Sequence, residues 1–427
     1  MKIAFVAQPF DQMTPPVRTG SLALWIYYTA QELVRRGHDA TVIGNNGTRI
    51  CTVRVVHDAV KYVMTPTLVD DYLNRIGLTF ARLRNLVAPR KFLYIYSSWY
   101  HSLFSILAAR SIAKEKFDVV HIMNYSQFVS KIRRQNPKAT IILHMHCEWL
   151  TQFPSDVMVP RLQQVDLIVG CSDYITGLIV DKFPQFTQKC ITVPNAADIP
   201  SNAQVIEARS RRVLFVGRLS PEKGIHDLII AFREVLKSLP DATLHLVGSP
   251  GSVPLEYLVG LSADPRVQAL RIFYERPASD SMKDPYLEAI EELAGPELGK
   301  RIILEGYADH HLIQEHYAKA TVLVNPSLSE SFGISLIEAM MMKLPVVATR
   351  VGGMQHTVVE GQTGFLVDAA SPQSLARAIC DVLTNPEAAR KMGESGYARA
   401  RERFSWKSVT DKLLSAYDAA LKHGALR

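Results

Sequence analysis

Short Val/Ile-rich runs follow one another along this chain, each separated from the next by a helix-periodic or loop stretch, and that alternation restricts the fold more than any other feature. KIAFVA is followed by ALWIYYTAQELVRRG, whose apolar residues recur at helical spacing, and then come DATVIG, DVVHIM, ATIILHM and VDLIVGCS. Runs this apolar suit strands buried on both faces of a parallel sheet. After Pro194 the polar stretch NAADIPSNAQVIEARS intervenes, and the pattern restarts with RRVLFVG, ATLHLVG, RIILEGY, ATVLVNPS and LPVVATR. The economical reading is α/β: two Rossmann-like, doubly wound domains, 1–203 and 204–400, with a helical segment, 401–427, packing back toward the first. Ligands of such sheets sit beyond the carboxyl ends of the strands, so the two domains are expected to face across a cleft, with each motif just after a strand. Residues 250–300 form a long, Pro- and charge-rich connection with helical pattern and no legible role.

A chain of 427 residues with 48% hydrophobic and 21% charged positions is too long for one small core. The first residues, MKIAFVAQPF, lack the apolar length of a signal peptide, and no run reaches the roughly 18 to 20 apolar residues of a spanning helix. Five scattered cysteines with no CxxC spacing argue against a disulfide framework or a zinc site, and a reducing cytoplasm is expected. The charge is lopsided. Residues 1–200 hold 22 Lys and Arg against 14 Asp and Glu, a net of +8, whereas 201–427 hold 26 against 27. An excess confined to one half suits a phosphate-bearing acceptor or an acidic membrane surface, and equally an ordinary solvated basic face. Nucleic acid is not expected, because no basic-aromatic binding motif accompanies the charge.

Two stretches carry chemistry. GRLSPEKG (Gly217 to Gly224) follows RRVLFV and precedes a helical pattern; its Arg218 and Lys223 can neutralise a diphosphate, Arg as a planar fork and Lys as a point charge. NPSLSESFGISLIEAM places Glu330 before a helix and Glu338 inside it, with the helix's free N–H groups between them near Gly333, Ile334 and Ser335. An anion site flanked by two hydroxyl-binding acids matches a nucleotide sugar, which has hydroxyls at both ends and phosphate in the middle. An acid complementing the helix dipole would explain Glu330 alone, but Glu338 lies too far in.

In order along the chain, GRL-PEKG, NPS-ESFG with its E-x7-E spacing, and PVVATRVGGMQHTVVEGQTGFLV resemble the retaining glycosyltransferases of family 4, and the resemblance covers essentially the whole chain. It implies a GT-B fold, a nucleotide-diphosphate sugar bound mostly by the C-terminal domain, an acceptor bound mostly by the N-terminal one, and no cofactor or metal. It further implies that Glu338 holds the ribose hydroxyls, that Glu330 holds those of the transferred sugar, and that Phe332, Gly333 and Ile334 present backbone amides to sugar and phosphate. Gly217, Arg218 and Lys223 would line the diphosphate.

In the first half, TGSLALW looks like the family's glycine-rich loop, so Gly20, with Ser21 after it, is expected near the donor phosphate; Ser21 replaces the commoner second glycine. IILHMHCEW ends a strand with two histidines. The family places a histidine at such a strand end close to the reacting sugar, and the following Trp149 selects His146 over His144, with His121 of DVVHIMNY at another strand end ranked below His146. At GGMQHTV this chain has Gln355-His356 where the commoner form has Pro-Glu. Asn195 in VPNAAD matches an interdomain PNG-D element with Ala at the glycine position.

The expected reaction moves a sugar with retention from a UDP-sugar, or a GDP-sugar, to a hydroxyl of a sugar, lipid-linked or small-molecule acceptor. The departing diphosphate would take the acceptor's proton. Alternatives are an epimerase or a phosphorylase of the same fold, a dinucleotide dehydrogenase disfavoured by the lack of GxGxxG after the first strand, and a catalytically silent nucleotide-sugar-binding protein. RIGLTFARLRNLVAPRKFLYIYSSWYHSLF mixes basic with large apolar residues and has two readings: a peripheral membrane or lipid-acceptor surface, or the helical cover of the first sheet, which base rates favour.

Overall fold

A computed structural model describes residues 1–47, 51–87, 93–198, 211–276 and 284–425. The chain divides into two compact units, 1–194 with 406–427, and 195–405.

The first unit is built on an eight-stranded sheet of β1 (Lys2–Val6), β2 (Asp39–Asn45), β3 (Val53–His57), β4 (Val60–Thr65), β5 (Val119–Met123), β6 (Thr140–Met145), β7 (Leu167–Gly170) and β8 (Cys190–Thr192), in the order β3-β4-β2-β1-β5-β6-β7-β8. All pairings are parallel except β3 with β4. That hairpin departs from the all-parallel expectation. Its two-residue turn, Asp58-Ala59, has positive φ at both positions (49° and 61°), the conformation whose twist suits a tight hairpin. β5, β6 and β7 are buried along their whole length, as their apolar sequences require.

Helix α1 (Ser21–Arg35) turns Ala23, Trp25, Ile26, Ala30 and Leu33 inward. The last helix, Trp406–Ala425, belongs to this unit: Arg36, just after α1, pairs with Asp411 and donates to the Lys407 carbonyl at 3.0 Å, and the Tyr28 ring packs at a tilt against Trp406. Helix α2 (Leu68–Val87) lies against α3 (Ser102–Glu115). The contact is polar. Asp70, buried, accepts from the backbone N–H groups of Leu103 (2.9 Å) and Phe104 (2.6 Å), so a side chain from α2 satisfies the open N-terminal donors of α3.

The second unit has a six-stranded, wholly parallel sheet of β9 (Arg212–Val216), β10 (Thr243–Val247), β11 (Ile302–Gly306), β12 (Val322–Asn325), β13 (Val346–Thr349) and β14 (Gly364–Val367), in the order β11-β10-β9-β12-β13-β14. Residues 250–300, expected to be mostly helical, contain only short helical pieces among the described residues. The longest, Pro285–Ala294, is capped by Asp284 and seats Tyr286, Ile290 and Ala294 in the same core as Phe232 and Leu244. In both sheets the candidate residues of the loops follow strands: His146 after β6, Gly217 after β9 and the Leu328–Ser331 loop after β12.

Asp70→Ala leaves two buried N–H groups of α3 without a partner and should cost the first unit about 1–2 kcal/mol. A lowered midpoint of its thermal or urea transition measures that loss, and an unchanged midpoint would show that the cap contributes nothing.

Candidate active site

In the second unit three strand-to-helix loops are tied into one surface. The loop after β9 ends at Gly224, whose φ of 66° lies in the left-handed region; a Cβ there would come within 2.2 Å of the Pro326 carbonyl, so only glycine lets this loop approach the one after β12. The Leu328 N–H donates to the Glu222 carbonyl at 2.8 Å, closing that contact. The loop after β13 joins in the same way. Gly353 donates to the Glu330 carbonyl at 3.1 Å, a Cβ at Gly353 would sit 2.1 Å from the Ser331 carbonyl, and the Thr357 hydroxyl donates to the Phe332 carbonyl at 3.1 Å.

On this frame the basic residues meet acids. Arg218 donates through Nη2 to Glu222 Oε1 at 2.7 Å and through Nε to Ser220 Oγ at 3.3 Å, while Ser220 Oγ donates to the same Glu222 oxygen at 2.7 Å. Glu222 is buried whereas Arg218 remains nearly half exposed, so the acid holds the guanidinium at the surface. Lys223 donates to Glu330 Oε2 at 2.7 Å, and Glu330 Oε1 accepts from the Phe332 N–H at 3.3 Å. Burial alone would raise the pKa of Glu330, but the Lys223 charge and hydrogen bond, with the amides of Phe332 and Gly333, bring it below the ordinary carboxylate value. Glu330 therefore stays ionised.

Arg218 and Lys223, expected at a diphosphate, each have a carboxylate partner, and the amides of Phe332 and Gly333, expected to face the donor, are directed at Glu330. Helix Ile334–Met341 follows with Gly333 as its N-cap, so Ile334 opens it and Glu338 is its fifth residue. The buried Tyr317 donates through its hydroxyl to Glu338 Oε2 at 2.7 Å. Sequence reasoning missed Glu222 and Tyr317. The acid in PEKG was visible, but its choice of Arg218 four residues back depends on the helical turn Pro221–Lys223; nothing in the sequence pairs Tyr317 with Glu338.

The substituted GGMQHTV turn keeps its backbone frame. Gln355 and His356 expose their side chains, while the carbonyls of His356 and Thr357 accept from Arg399 at 2.6 and 3.0 Å. Asn195 is buried and belongs to the second unit, where Ala197 nearby pairs with the Phe404 carbonyl.

In the first unit Gly20 is the exposed N-cap of α1 and Ser21 its first residue; the first turn holds no acid, and no side chain caps its N–H groups. The three histidines cluster around Trp25, whose ring lies 5.0 Å from that of His144 and 5.7 Å from those of His121 and His146. His121 lies in the middle of β5 and His144 is the penultimate residue of β6, and both are fully buried. His121 Nε2 meets His144 Nδ1 at 3.1 Å, and His121 Nδ1 meets the Tyr417 hydroxyl at 2.6 Å. His146 alone lies past the end of its strand; its N–H donates to Asn124 Oδ1 at 2.7 Å, and Asn124 in turn donates to Gln8 Oε1 at 3.0 Å. Its ring is 4.1 Å from that of His144. The inner histidines thus support the outer one.

All five cysteines are free thiols, and no group of three or more His, Cys, Asp or Glu side chains among the described residues is arranged to hold a metal ion. No described helix is long and apolar enough to cross a membrane.

Two α/β units of this kind make a GT-B fold, and solved structures agree: sucrose-phosphate synthase from Thermosynechococcus elongatus superimposes with a TM-score of 0.70 at 20% identity over 99% of both chains. Anabaena HepE, solved in complex with UDP-glucose, gives 0.65 at 17% identity over 98% of this chain and 100% of that one. Residues 22–200 match the family model Glycosyltransferase Family 4, and residues 199–399 match Glycosyl transferases group 1. The chain belongs to the family 4, group 1 glycosyltransferases and is a hexosyltransferase-type enzyme. Among curated relatives, spore coat protein SA of Bacillus subtilis (strain 168) is 24% identical over 98% of this chain and 99% of its own length. D-inositol 3-phosphate glycosyltransferase of Corynebacterium glutamicum (strain R) is 34% identical over 52% of this chain, which spans only 49% of that relative's length.

Burial holds the His121 pKa down at about 3, with the neighbouring His146 charge adding to the effect, and holds that of His144 well below its ordinary value. In the unfolded chain both rings take up a proton near pH 6.5, so below that pH the unfolded state binds more protons and stability falls as pH drops from about 6.5 toward 3. Each ring contributes about 1.4 kcal/mol per pH unit to that slope. The slope measured by denaturation between pH 6 and pH 4 should decrease by about one proton in His121→Gln; an unaltered slope would contradict a neutral His121.

Proposed function

We propose that the protein is a retaining glycosyltransferase that moves a hexose from a nucleotide-diphosphate sugar, with UDP favoured over GDP as the nucleotide, to an acceptor hydroxyl without a metal ion. The observation that carries this reading is the pair of adjoining loops in which Arg218–Glu222 and Lys223–Glu330 stand together ahead of an N-terminally open helix. Two cations and a helix N-terminus can neutralise a departing diphosphate without metal help. The UDP-glucose complex of Anabaena HepE, which has the same fold, supports the choice of nucleotide.

In this reading the ion pairs are the resting arrangement. Glu330 holds Lys223 in place; the donor's phosphate takes over the ammonium, and Glu330 with the amides of Phe332, Gly333 and Ile334 turns to the hydroxyls and charge of the transferred sugar. Glu222 keeps Arg218 directed outward, Gly217 lets the backbone lie close, and Glu338, oriented by Tyr317, holds the ribose. Gly20 and Ser21 offer the uncapped amides of α1 to the donor phosphate, and His146 contacts the reacting sugar from a position fixed by Asn124 and the buried histidines. The acceptor hydroxyl attacks on the face the diphosphate leaves and gives its proton to that diphosphate, so the protein mainly orients and stabilises charge. The basic first unit takes the acceptor and makes peripheral contact with a membrane, and the reaction runs in the cytoplasm.

Thermal unfolding against UDP, GDP, ADP, dTDP and their sugar conjugates in EDTA tests the donor class: one nucleotide should raise the midpoint, and no rise with any of them would sink the reading. At saturating donor, Arg218→Ala and Lys223→Ala should each lower kcat about 10²- to 10³-fold. Glu338→Ala should instead raise the donor KM about 10- to 100-fold, the worth of a hydrogen bond to a charged group. Full turnover in both basic variants would refute the diphosphate assignment.

A further inference from the structure

Helix α2 reverses the usual distribution of a surface helix. At 3.6 residues per turn, Asp70, Asn74, Gly77, Leu78, Ala81 and Asn85 fall on one arc, and this arc faces the protein. Asp70 caps α3, Asn74 Oδ1 accepts from the His101 N–H at 3.4 Å, and at Gly77 the Tyr94 ring lies so close that a Cβ would come within 2.2 Å of it. Apart from Leu78 at its edge, the packed arc is therefore small or polar.

The large apolar side chains point the other way. Val69, Tyr72, Leu73, Ile76, Phe80 and Leu83 fall within an arc of roughly 100°, and all are exposed, Tyr72, Phe80 and Leu83 by 60% or more. The stripe runs about 21 Å along the helix at 1.5 Å per residue. Trp99, 73% exposed, sits in the segment between Tyr94 and His101 that the polar arc of α2 packs on. Exposed Arg75 and Arg82 border the stripe on one side and Arg84 on the other; the exposed acid of this helix, Asp71, is in its first turn and accepts from the Thr67 hydroxyl at 3.1 Å.

We infer that this face is the surface through which the protein lies on an anionic bilayer, deepening the membrane contact of the proposed function and resting on that reading. Three features select a bilayer. A straight stripe of large aliphatic and aromatic residues can enter the headgroup boundary in the plane of the membrane, and Tyr suits that boundary. The arginine rim, within a half-chain of net charge +8, complements anionic headgroups. A second copy docking by the same stripe about a two-fold axis would bring like-charged rims together.

The test uses the full chain with vesicles of phosphatidylcholine alone or mixed with phosphatidylglycerol. Co-sedimentation should be about 10- to 100-fold stronger with the anionic vesicles. Ile76→Glu/Phe80→Glu should abolish binding while keeping the unfolding midpoint, since both side chains are exposed. Arg75→Gln/Arg82→Gln should reduce the preference for the anionic vesicles. Failure to bind the anionic vesicles, or native-like binding by Ile76→Glu/Phe80→Glu, would overturn the inference. So would a concentration-dependent dimer, in the absence of vesicles, that the same double substitution breaks. The nucleotide-induced thermal shift is read in parallel, so loss of vesicle binding with the shift intact counts against this surface alone, and absence of the shift counts against the donor reading alone.

Discussion

The Lys223–Glu330 ion pair joins residues 107 apart in sequence, and the local order of the second unit's site depends on it. Its two side chains are largely withdrawn from water, at 21% and 17% exposure, so each charge depends on the other to offset its lost hydration. Glu330 needs more than the lysine, and the amides of Phe332 and Gly333 supply the rest. Those contacts set the path of the chain into helix Ile334–Met341, while the Glu330 carbonyl receives Gly353 from the third loop. A ligand that takes over one member of the pair must satisfy the other as well, which favours a molecule carrying both an anion and hydroxyls over a simple anion.

Much of this arrangement was legible in the sequence, for identifiable reasons. The buried parallel strands announced themselves as Val/Ile-rich runs, because a strand covered on both faces has no polar side to confuse the pattern. β3 and β4 escaped notice: β3 is largely exposed at the sheet edge, and the turn between them is Asp-Ala, not a glycine pair. At the site, residue types and order pointed to Arg218, Lys223, Glu330 and Glu338, but their partners did not follow. Which acid faces which base depends on Gly224 and Gly353 letting three loops touch, and close approach of backbones leaves only the glycines themselves as a trace in one sequence.

The histidines teach a related lesson. Three histidines near strand ends looked like three candidates, and all three are buried; His121 and His144 lie within their strands and His146 just past the end of β6. His121 and His144 lie in consecutive neighbouring strands of the sheet and face each other, so a proton carried by one nitrogen dictates what its neighbour can offer. Tyr417, on a helix that returns to the first unit from the end of the chain, contacts the far nitrogen of His121. The tautomers of His121 and His144 are therefore coupled to the docking of the last helix. No spacing in the sequence links residue 417 to residue 121; the link exists because the chain closes the first unit only after completing the second.

Helix α2 shows where reading by base rates fails. A helix with apolar residues recurring at helical spacing ordinarily turns them to the core, and as cover for the first sheet α2 would follow that rule. The polar side chains at Asp70 and Asn74 carry the contrary information. Each sits where it can satisfy a backbone N–H of the adjoining segment, and burial of a carboxylate is tolerated because two N–H groups receive it. Once that polar edge is committed to α3, the apolar residues at Val69, Ile76, Phe80 and Leu83 have only solvent to face, and the energy of leaving them exposed is available to whatever covers them. The capping acid thus orients the helix, and the orientation creates the surface.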